Sequence, residues 1–196
     1  MAKTESVMIE LGSRLPTFSL KDSLGFVHST SKLPAHKGLL VMFICNHCPF
    51  VKHIQRELSQ LTRELLNQGI YTLAINSNDV DSYPEDSPSK MAEDARRFDY
   101  SFPYLFDATQ DVAKAFQAAC TPDFFLFDSE HRLFYRGQID NSRPGNEIPV
   151  TGEDLKAAVA ELLAKKEPPS QQRPSIGCNI KWKPGNEPSY FHPKTR

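Results

Sequence analysis

The chain has 196 residues, of which 39 % are hydrophobic, and this suits a single globular domain with its own core. Its 23 basic and 24 acidic residues give a formal net charge of −1, so the composition favours neither nucleic acid nor an anionic membrane surface as a partner. The first residues lack the apolar stretch of a signal peptide, and no apolar run approaches the ~18 residues of a membrane span. We therefore expect a cytoplasmic protein.

Residues 12–43 predict a β-hairpin that leads into a core strand, since "PTFSL" alternates apolar and polar residues, "DSLG" suits a turn, and "LLVMFI" is continuously apolar. After Pro49, apolar residues recur every three or four positions, which predicts a helix that ends before Gly69. The next segment, "GIYTLAIN", is a second apolar strand. Such a βαβ unit has parallel strands, and catalytic groups lie at their carboxyl ends. The segment "CNHC" follows one of these ends.

The segment "DVDSYPEDSP" at residues 79–88 is acidic and contains prolines, so we predict a solvated surface loop there. Ser87 is suited to cap the helix that follows. Next come a short strand, "FPYLF", a helix beginning at Thr109, and an antiparallel pair formed by "DFFLFD" and "RLFYRGQI". The last helix begins near Thr151, where "TGED" is close to a capping box.

The composition changes beyond Lys165, where prolines become frequent and periodicity is lost. We predict a main domain over residues 1–166 and a proline-rich tail over residues 167–196. Trp182 and several apolar neighbours in the tail suggest that it packs on the domain.

Cys45 and Cys48 form a C-x-x-C motif directly after the first core strand. In a reducing compartment this spacing is more often catalytic or metal-binding than part of a disulfide scaffold. Pro49 suits the first position of the helix, which makes Cys48 the predicted N-cap residue, and such a setting lowers a thiol pKa from about 8.5 to about 3.5–7.5. His47 would add positive charge when protonated. We predict Cys48 as the nucleophile and Cys45 as the thiol that resolves its mixed species.

Two other interpretations of the C-x-x-C motif stay open. Free cysteine is among the most buried residue types, so both thiols are also explained as small core residues. A zinc site would need further ligands, for which the candidates are Cys120, Cys178, His47 and His53. Neither a second C-x-x-C nor an H-x-x-x-H motif accompanies the first, so redox chemistry is favoured over a metal site.

Many segments of the chain resemble those of the peroxiredoxin-like proteins. This group of redoxins belongs to the thioredoxin-fold superfamily, which contains the alkyl hydroperoxide reductases and thiol-specific antioxidant proteins. The matching segments cover nearly the whole chain and include "GSRLPTFSLKDSLG", "FICNHCPFVKH", "INSND", "YPEDSP", "FPYLFD", "ACTPDFFLFD", "YRGQ", "PVTGEDL", "PSIGC" and "IKWKPGNEP". The resemblance implies an α/β thioredoxin-like fold with a central mixed sheet flanked by helices, an N-terminal β-hairpin extension and an irregular C-terminal tail.

The resemblance also implies that a second segment of the chain lines the site. In thioredoxin-fold proteins a threonine or similar residue followed by a cis proline faces the active cysteine, and the matching pair here is Thr121 and Pro122. Without the resemblance Pro122 would be expected in the trans form, because only ~5 % of X-Pro bonds are cis. Cys120 would then lie near Cys48, although it is equally well explained as a core cysteine.

The chain departs from the better-known members of this superfamily. In a gapless comparison, thioredoxin's second cysteine falls on Val51 and its buried acid falls on Met42, so we predict no internal carboxylate beside the thiols. Neither cysteine is preceded by the proline and threonine of peroxiredoxins. Arg136 or Arg143 would have to supply the guanidinium that stabilises charge on a peroxide.

The leading hypothesis is a thiol-disulfide oxidoreductase or antioxidant-type redoxin that needs no cofactor. Its substrate would be a disulfide, a sulfenic acid or a small oxidant, and its reductant a thiol. The first alternative is a thiol peroxidase that uses an external thiol, and the second is a non-catalytic protein that binds a peptide or a metal. Cys45, Cys120 and Cys178 all stay open as the resolving thiol, and the sequence indicates no oligomeric state.

Overall fold

The computed structural model describes residues 3–191, which form ten strands and four α-helices. In chain order the strands are β1 Lys3–Glu5, β2 Ser19–Asp22, β3 Val27–Ser29, β4 Gly38–Phe43, β5 Ile70–Asn76, β6 Tyr104–Phe106, β7 Cys120–Thr121, β8 Asp123–Asp128, β9 Leu133–Gly137 and β10 Ile176–Asn179. The helices are α1 Pro49–Asn67, α2 Pro88–Arg97, α3 Asp111–Phe116 and α4 Glu153–Leu163.

Seven strands form a mixed sheet in the order β3-β2-β6-β5-β4-β8-β9. Strands β4, β5 and β6 run parallel to one another, and the remaining neighbours pair antiparallel. The predicted N-terminal hairpin is present as β2 and β3, and it extends the sheet beyond β6. This is the thioredoxin-like fold that the sequence resemblance implied.

Strand β4 lies in the middle of the sheet because its side chains are apolar on both faces. All six of its residues are buried, and alternate side chains enter the two core clusters on opposite sides of the sheet. Helix α1 packs on one of these sides through the predicted apolar face, which includes Ile54, Leu58 and Leu61. Val51, which was not part of the predicted face, is buried with them. The chain must leave β4 and enter α1 within five residues, so this short connection is held between the sheet and the helix.

The tail contains a strand where the sequence predicted irregular structure. Strand β10 lies between β1 and β7 in a separate three-stranded antiparallel sheet. Its sequence, "IGCN", has no strand-like alternation, and the pairing comes from backbone groups of distant segments. Beyond it, Ile180 and Trp182 are buried in the same cluster as Phe43. The division between residues 1–166 and 167–196 stays a prediction.

Two predicted helix starts are wrong by a short distance. Helix α3 is preceded by Gln110 in a left-handed conformation, and Thr109 lies outside it. Helix α4 begins after Gly152, so Thr151 does not form a capping box. The residues that lead into α4 are stabilised instead by Asp140, whose Oδ2 accepts hydrogen bonds from the amides of Thr151 and Gly152. Within residues 3–191, no helix combines the length and the apolar character needed to cross a membrane.

Candidate active site

Cys48 lies at the point where the connection from β4 enters α1. It is the N-cap residue with an extended backbone, and Pro49 occupies the first helical turn, as the sequence predicted. The side chain points into the protein, since Cys48 has no solvent-exposed surface. The sulfur is therefore surrounded by protein groups and not by bulk water.

Two distant segments supply the surroundings of the Cys48 sulfur. The sulfur of Cys178, in β10, lies 2.8 Å from it. The carbonyl oxygen of Thr121, in β7, lies 3.2 Å from it. The sequence left Cys178 open as one of three partners, and the structure brings this one into direct sulfur-sulfur contact with Cys48.

The pKa of Cys48 lies well below that of an ordinary thiol. The hydrogen bond from the Cys178 thiol is the largest cause, and a hydrogen bond from Cys45 is the next. Burial acts in the opposite direction, and the amide of Val51 in the first turn of α1 contributes less than either thiol. Cys48 makes no side-chain capping bond to the helix. The direction of this shift is the one that the sequence predicted, but the hydrogen bonds from the two thiols lower the pKa of Cys48 more than the amide of Val51 does.

Cys45 lies at the end of β4 and is also buried. Its sulfur is 3.3 Å from the hydroxyl oxygen of Thr121. Burial raises its pKa well above the ordinary value, and the hydrogen bond to Cys48 and the charge of Asp86 act in the same direction. The pKa of Cys45 is thus raised while that of Cys48 is lowered, and the hydrogen bond between the two thiols contributes to both shifts.

The ring of His47 faces a carboxylate. Its Nδ1 lies 2.6 Å from Oδ2 of Asp86, and the ring stacks on Tyr83 with centroids 5.2 Å apart. Asp86 has no exposed surface, and it also accepts hydrogen bonds from the amides of Asn46 and His47 and from the side chain of Asn78. Burial tends to raise the pKa of Asp86, but these hydrogen bonds outweigh it and hold the pKa below its usual value.

Asp86 corrects two expectations. The segment at residues 79–88 was predicted to be a solvated loop, yet Asp86 and Asp79 are buried. We also predicted no internal carboxylate near the thiols, whereas Asp86 acts electrostatically on Cys45. The physical reason is that the loop turns inward at the carboxyl end of β5, where Asn76 donates a side-chain hydrogen bond to the carbonyl of Asp86.

One group of potential metal ligands occurs among the described residues, and it differs from the predicted set. Ligand atoms of Cys45, His47 and Asp86 lie within 4.8 Å of one another. Both carboxylate oxygens of Asp86 already accept hydrogen bonds, so a metal ion there would have to displace them. Of the predicted ligands, His53 contacts Ser142 at 2.7 Å.

The peptide bond between Thr121 and Pro122 is cis, as the resemblance implied. Thr121 presents its carbonyl to Cys48 and its hydroxyl to Cys45, so the residue contacts both thiols. Cys120 is fully buried, and its sulfur contacts the carbonyl oxygen of Pro122 at 3.6 Å. It is buried like a core cysteine, and it lies close enough to Cys48 to interact with it electrostatically.

Asp123, which follows the cis proline, was not singled out by the sequence. It is fully buried and accepts a 2.6 Å hydrogen bond from the hydroxyl of Ser6. Burial raises its pKa to about 7. This carboxyl group therefore joins the N-terminal segment to the wall of the site and changes its charge near neutral pH.

The two arginines considered as substitutes for the peroxiredoxin guanidinium have other partners. Arg136 donates to the side chain of Gln172 and to the carbonyl of Met8. Arg143 donates to the carbonyl groups of Asp140 and Ser142. Neither guanidinium is among the contacts of the Cys48 sulfur.

Sequence reasoning missed Asp86, Asn78 and Asp123, although one signal was available. The rule that placed "CNHC" at the carboxyl end of a strand applies equally to "NSND", which ends and follows β5. Since β4 and β5 are parallel neighbours, their carboxyl ends meet, and Asn78 lies beside the site. No comparable signal distinguished Asp86 from the other acidic residues of its segment.

The chain is similar to a known family of proteins. Residues 11–136 match the model of the AhpC/TSA family. The chain is 30 % identical over 125 residues to the thiol-disulfide oxidoreductase ResA of Geobacillus kaustophilus (strain HTA426). The aligned region covers 64 % of this chain and 67 % of that protein.

Two solved structures are similar over almost the whole chain. An uncharacterised conserved protein from Geobacillus kaustophilus has a TM-score of 0.91 and 50 % identity, with 94 % of this chain and 98 % of that one covered. A hypothetical protein from Sinorhizobium meliloti 1021 has a TM-score of 0.91 and 47 % identity, and the match covers 93 % of this chain and 100 % of that one. The family model spans more than half of the chain and includes both cysteines of the C-x-x-C motif, and the protein accordingly belongs to the AhpC/TSA family.

Proposed function

We propose that the protein is a thiol-disulfide oxidoreductase in which the Cys48 thiolate is the nucleophile. The observation that carries this proposal is the contact between the sulfur atoms of Cys48 and Cys178, together with the low pKa that this contact gives Cys48. A thiolate is the reactive form of cysteine in disulfide exchange. The relative from Geobacillus kaustophilus that is called a thiol-disulfide oxidoreductase gives independent support.

The proposed reaction begins when the Cys48 thiolate attacks one sulfur of a substrate disulfide. A mixed disulfide forms on Cys48, and the other substrate sulfur leaves as a thiolate. Side-chain hydrogen bonds from Cys45 and Thr121 to Cys48 would hold the nucleophile in position. An external thiol would restore the reduced protein. Disulfide substrate and thiol reductant are proposals, as is the cytoplasmic location predicted from the sequence.

The test is the pH dependence of alkylation. We expect the rate at which iodoacetamide modifies Cys48 in the native protein to change less than about 2-fold between pH 6 and pH 8.5, because the sulfur is already a thiolate. A thiol with an ordinary pKa near 8.5 would react more than ~100-fold faster at the higher pH. Cys120 is an internal control, since burial raises its pKa well above the ordinary value.

Cys48 and Cys120 lie on different tryptic peptides, residues 38–52 and 115–132. Because Cys45 shares the first of these peptides with Cys48, fragmentation of that peptide in the mass spectrometer assigns the modified cysteine. An ordinary pH profile for Cys48 would contradict the proposal. In steady-state assays with dithiothreitol as reductant, the wild-type protein should reduce hydroxyethyl disulfide faster than the Cys48→Ser variant, which should match the rate without protein.

The same assay distinguishes the peroxidase alternative. The contacts of Arg136 and Arg143 leave the peroxide without a guanidinium at Cys48, so we expect much slower turnover with hydrogen peroxide than with the disulfide. Faster turnover with the peroxide would favour a thiol peroxidase. Stoichiometric metal in the purified protein, with no turnover of either substrate, would favour the binding protein.

A further inference from the structure

Strand β10 brings one residue of the tail to the nucleophile. Cys178 lies in the middle strand of the three-stranded sheet, paired with Lys3 of β1 on one side and Thr121 of β7 on the other. Its sulfur lies 2.8 Å from that of Cys48. This separation is far shorter than an ordinary sulfur-sulfur contact and longer than the ~2.05 Å of a disulfide bond. A small movement would allow the two sulfurs to bond.

The close approach depends on the residue before the cysteine. Gly177 packs directly against the backbone of Thr121, and a Cβ atom at this position would overlap with the carbonyl carbon and oxygen of Thr121. Gly177 does not have a positive φ. Glycine is therefore needed at position 177 because it has no Cβ atom and lets the two strands approach closely. A backbone conformation special to glycine is not the reason.

The residues before and after β10 form hydrogen bonds with segments that line the site. On the N-terminal side, the hydroxyl of Ser175 donates a 2.6 Å hydrogen bond to the carbonyl of Pro122. On the C-terminal side, the amide of Lys181 donates to Oδ1 of Asn78 at 2.8 Å, and its carbonyl accepts from the amide of Asp79. These bonds determine the register that places Cys178 opposite Cys48.

The other two candidate thiols are differently placed. Cys45 directs its sulfur towards the hydroxyl of Thr121. Cys120 directs its sulfur towards the carbonyl of Pro122. Cys178 is the thiol whose sulfur lies 2.8 Å from that of Cys48.

We propose that Cys178 is the resolving thiol, an inference that rests on the proposed role of Cys48 as nucleophile. After Cys48 has formed a mixed disulfide with one half of the substrate, the sulfur of Cys178 attacks the Cys48 sulfur. The bond between Cys48 and the substrate breaks, and a Cys48–Cys178 disulfide forms. The proton of Cys178 passes to the departing substrate sulfur, which leaves as a thiol.

In total the protein loses two electrons and the proton of Cys178. The substrate disulfide gains these two electrons and becomes two thiols: the first sulfur leaves as a thiolate that takes a proton from the solvent, and the second takes the proton of Cys178. An external dithiol then reduces the Cys48–Cys178 disulfide. Because Cys48 has no exposed surface and Cys178 is 2 % exposed, each turnover includes displacement of β10 when the substrate enters. While β10 is displaced, the hydrogen bond from Cys45 is the contact that still lowers the pKa of Cys48 most. The return of the strand brings the resolving thiol back to the mixed disulfide.

The test uses glutathione disulfide on the full-length reduced protein, followed by acid quenching, alkylation of the remaining thiols and tryptic mapping by mass spectrometry. Cys178 lies on the tryptic peptide of residues 167–181, because trypsin does not cleave before Pro174. We expect this peptide to be joined to that of residues 38–52. Because Cys45 shares the latter peptide with Cys48, the Cys45→Ser variant assigns the linkage and should form the same pair.

The variants separate this inference from the proposed function. Cys178→Ser should accumulate glutathione on Cys48, whereas the wild-type protein should carry less than about one tenth as much. Cys48→Ser should form neither product. If the wild-type protein keeps glutathione on Cys48, or links Cys48 to Cys45 or Cys120, then Cys178 is not the resolving thiol although Cys48 remains the nucleophile. If Cys48 remains unmodified in every variant, both proposals are wrong.

A folding control keeps the result interpretable. Thermal unfolding followed by circular dichroism shows whether Cys178→Ser keeps the fold, and Cys178→Ala is the second variant. The linkage in the wild-type protein tests the proposal independently of both variants. Its absence from wild-type protein that carries glutathione on Cys48 overturns the proposal.

Discussion

Cys178 lies 130 positions after Cys48 in the chain, yet its thiol lowers the pKa of Cys48 more than the amide of Val51 in the adjacent helical turn does. A helix N-terminus provides a partial positive charge, whereas a neighbouring thiol donates a hydrogen bond directly to the sulfur. In a site without bulk water this hydrogen bond is stronger than it would be at the surface. The low pKa of Cys48 therefore depends on contacts that form only in the folded chain.

At the same scale, Asp86→Ala tests the buried network beside the C-x-x-C motif. We expect the free energy of unfolding to fall by about 3 kcal/mol, because the variant leaves the buried donors of Asn46, His47 and Asn78 without their acceptor. Urea unfolding at neutral pH measures the change. Asp81→Ala, at an exposed position in the same segment, is the control and should change stability by less than about 0.5 kcal/mol. Equal effects would contradict the role assigned to Asp86.

Asp123→Asn tests a buried carboxyl group through the pH dependence of stability. In the unfolded chain this aspartate ionises near pH ~4, but in the folded protein burial raises its pKa to about 7. Between these values the unfolded state releases a proton that the folded state retains. The wild-type protein should therefore lose stability relative to Asp123→Asn by up to about 1.4 kcal/mol per pH unit as the pH rises through this window.

Above pH 7 the difference between Asp123→Asn and the wild-type protein should become constant, because both states of the wild-type protein are then ionised. Urea unfolding at half-unit intervals from pH 4.5 to pH 8.5 measures it. Parallel curves for the two proteins across the whole range would show that Asp123 titrates in the same way in the folded and unfolded states.

At the scale of an element, β10 is positioned by backbone contacts and not by its own side-chain pattern. It pairs with β1 and β7, and Gly177 allows the chain to approach Thr121. Only four residues form the strand, so a single substitution that changes its distance from β7 affects the whole element. The position of Cys178 depends on this distance.

The Gly177→Ala variant changes the distance between β10 and β7. The added methyl group would overlap with the backbone of Thr121, so β10 must move away, at a cost of about 1–3 kcal/mol in the free energy of unfolding. We expect the yield of the Cys48–Cys178 disulfide after exposure to glutathione disulfide to fall at least about 5-fold.

Gly185→Ala is a matched control in the same tail. Gly185 has a φ of +80°, and nothing lies within 4 Å of the Cβ position there, so this substitution strains the backbone without moving β10. It should cost about 1 kcal/mol and leave the disulfide yield unchanged. Loss of the disulfide in both variants would mean that general destabilisation of the tail is responsible.

At the scale of the whole molecule, the N-terminus, the tail and the central sheet share one set of contacts. Strand β1 pairs with β10, Ser6 bonds to Asp123, and Trp182 is packed in the same core cluster as β4. These contacts connect segments from both ends of the described chain. We expect the tail to unfold together with the domain.

Trp182 provides the measurement because it is the only tryptophan in the sequence. Its fluorescence should change at the same urea concentration as the far-ultraviolet circular dichroism, since its side chain is 8 % exposed and loses its packing only when the core opens. A fluorescence midpoint clearly below that of the circular dichroism would show that the tail detaches first. In that case residues 167–196 would be an independent unit of stability.

Much of the fold could be predicted because local patterns and long-range structure agree. The apolar run of β4, the amphipathic face of α1 and the glycine after it predicted a βαβ unit with Cys48 at the helix start. The boundaries of α3 and α4 were less accurate. The connection before α4 is stabilised by Asp140, which comes from a different segment, and a local capping pattern cannot reveal such a contact.

The sequence by itself determined the βαβ core, the cysteine pair at its carboxyl end and the resemblance that implied a cis proline opposite them. These features depend on residue type, on periodicity and on short spacings. Only the tertiary structure decided which thiol contacts Cys48, that Asp86 is buried beside His47 and that the tail contains a strand. Each of these depends on backbone pairing between segments far apart in the chain, and such pairing is specified by the packing of the whole molecule.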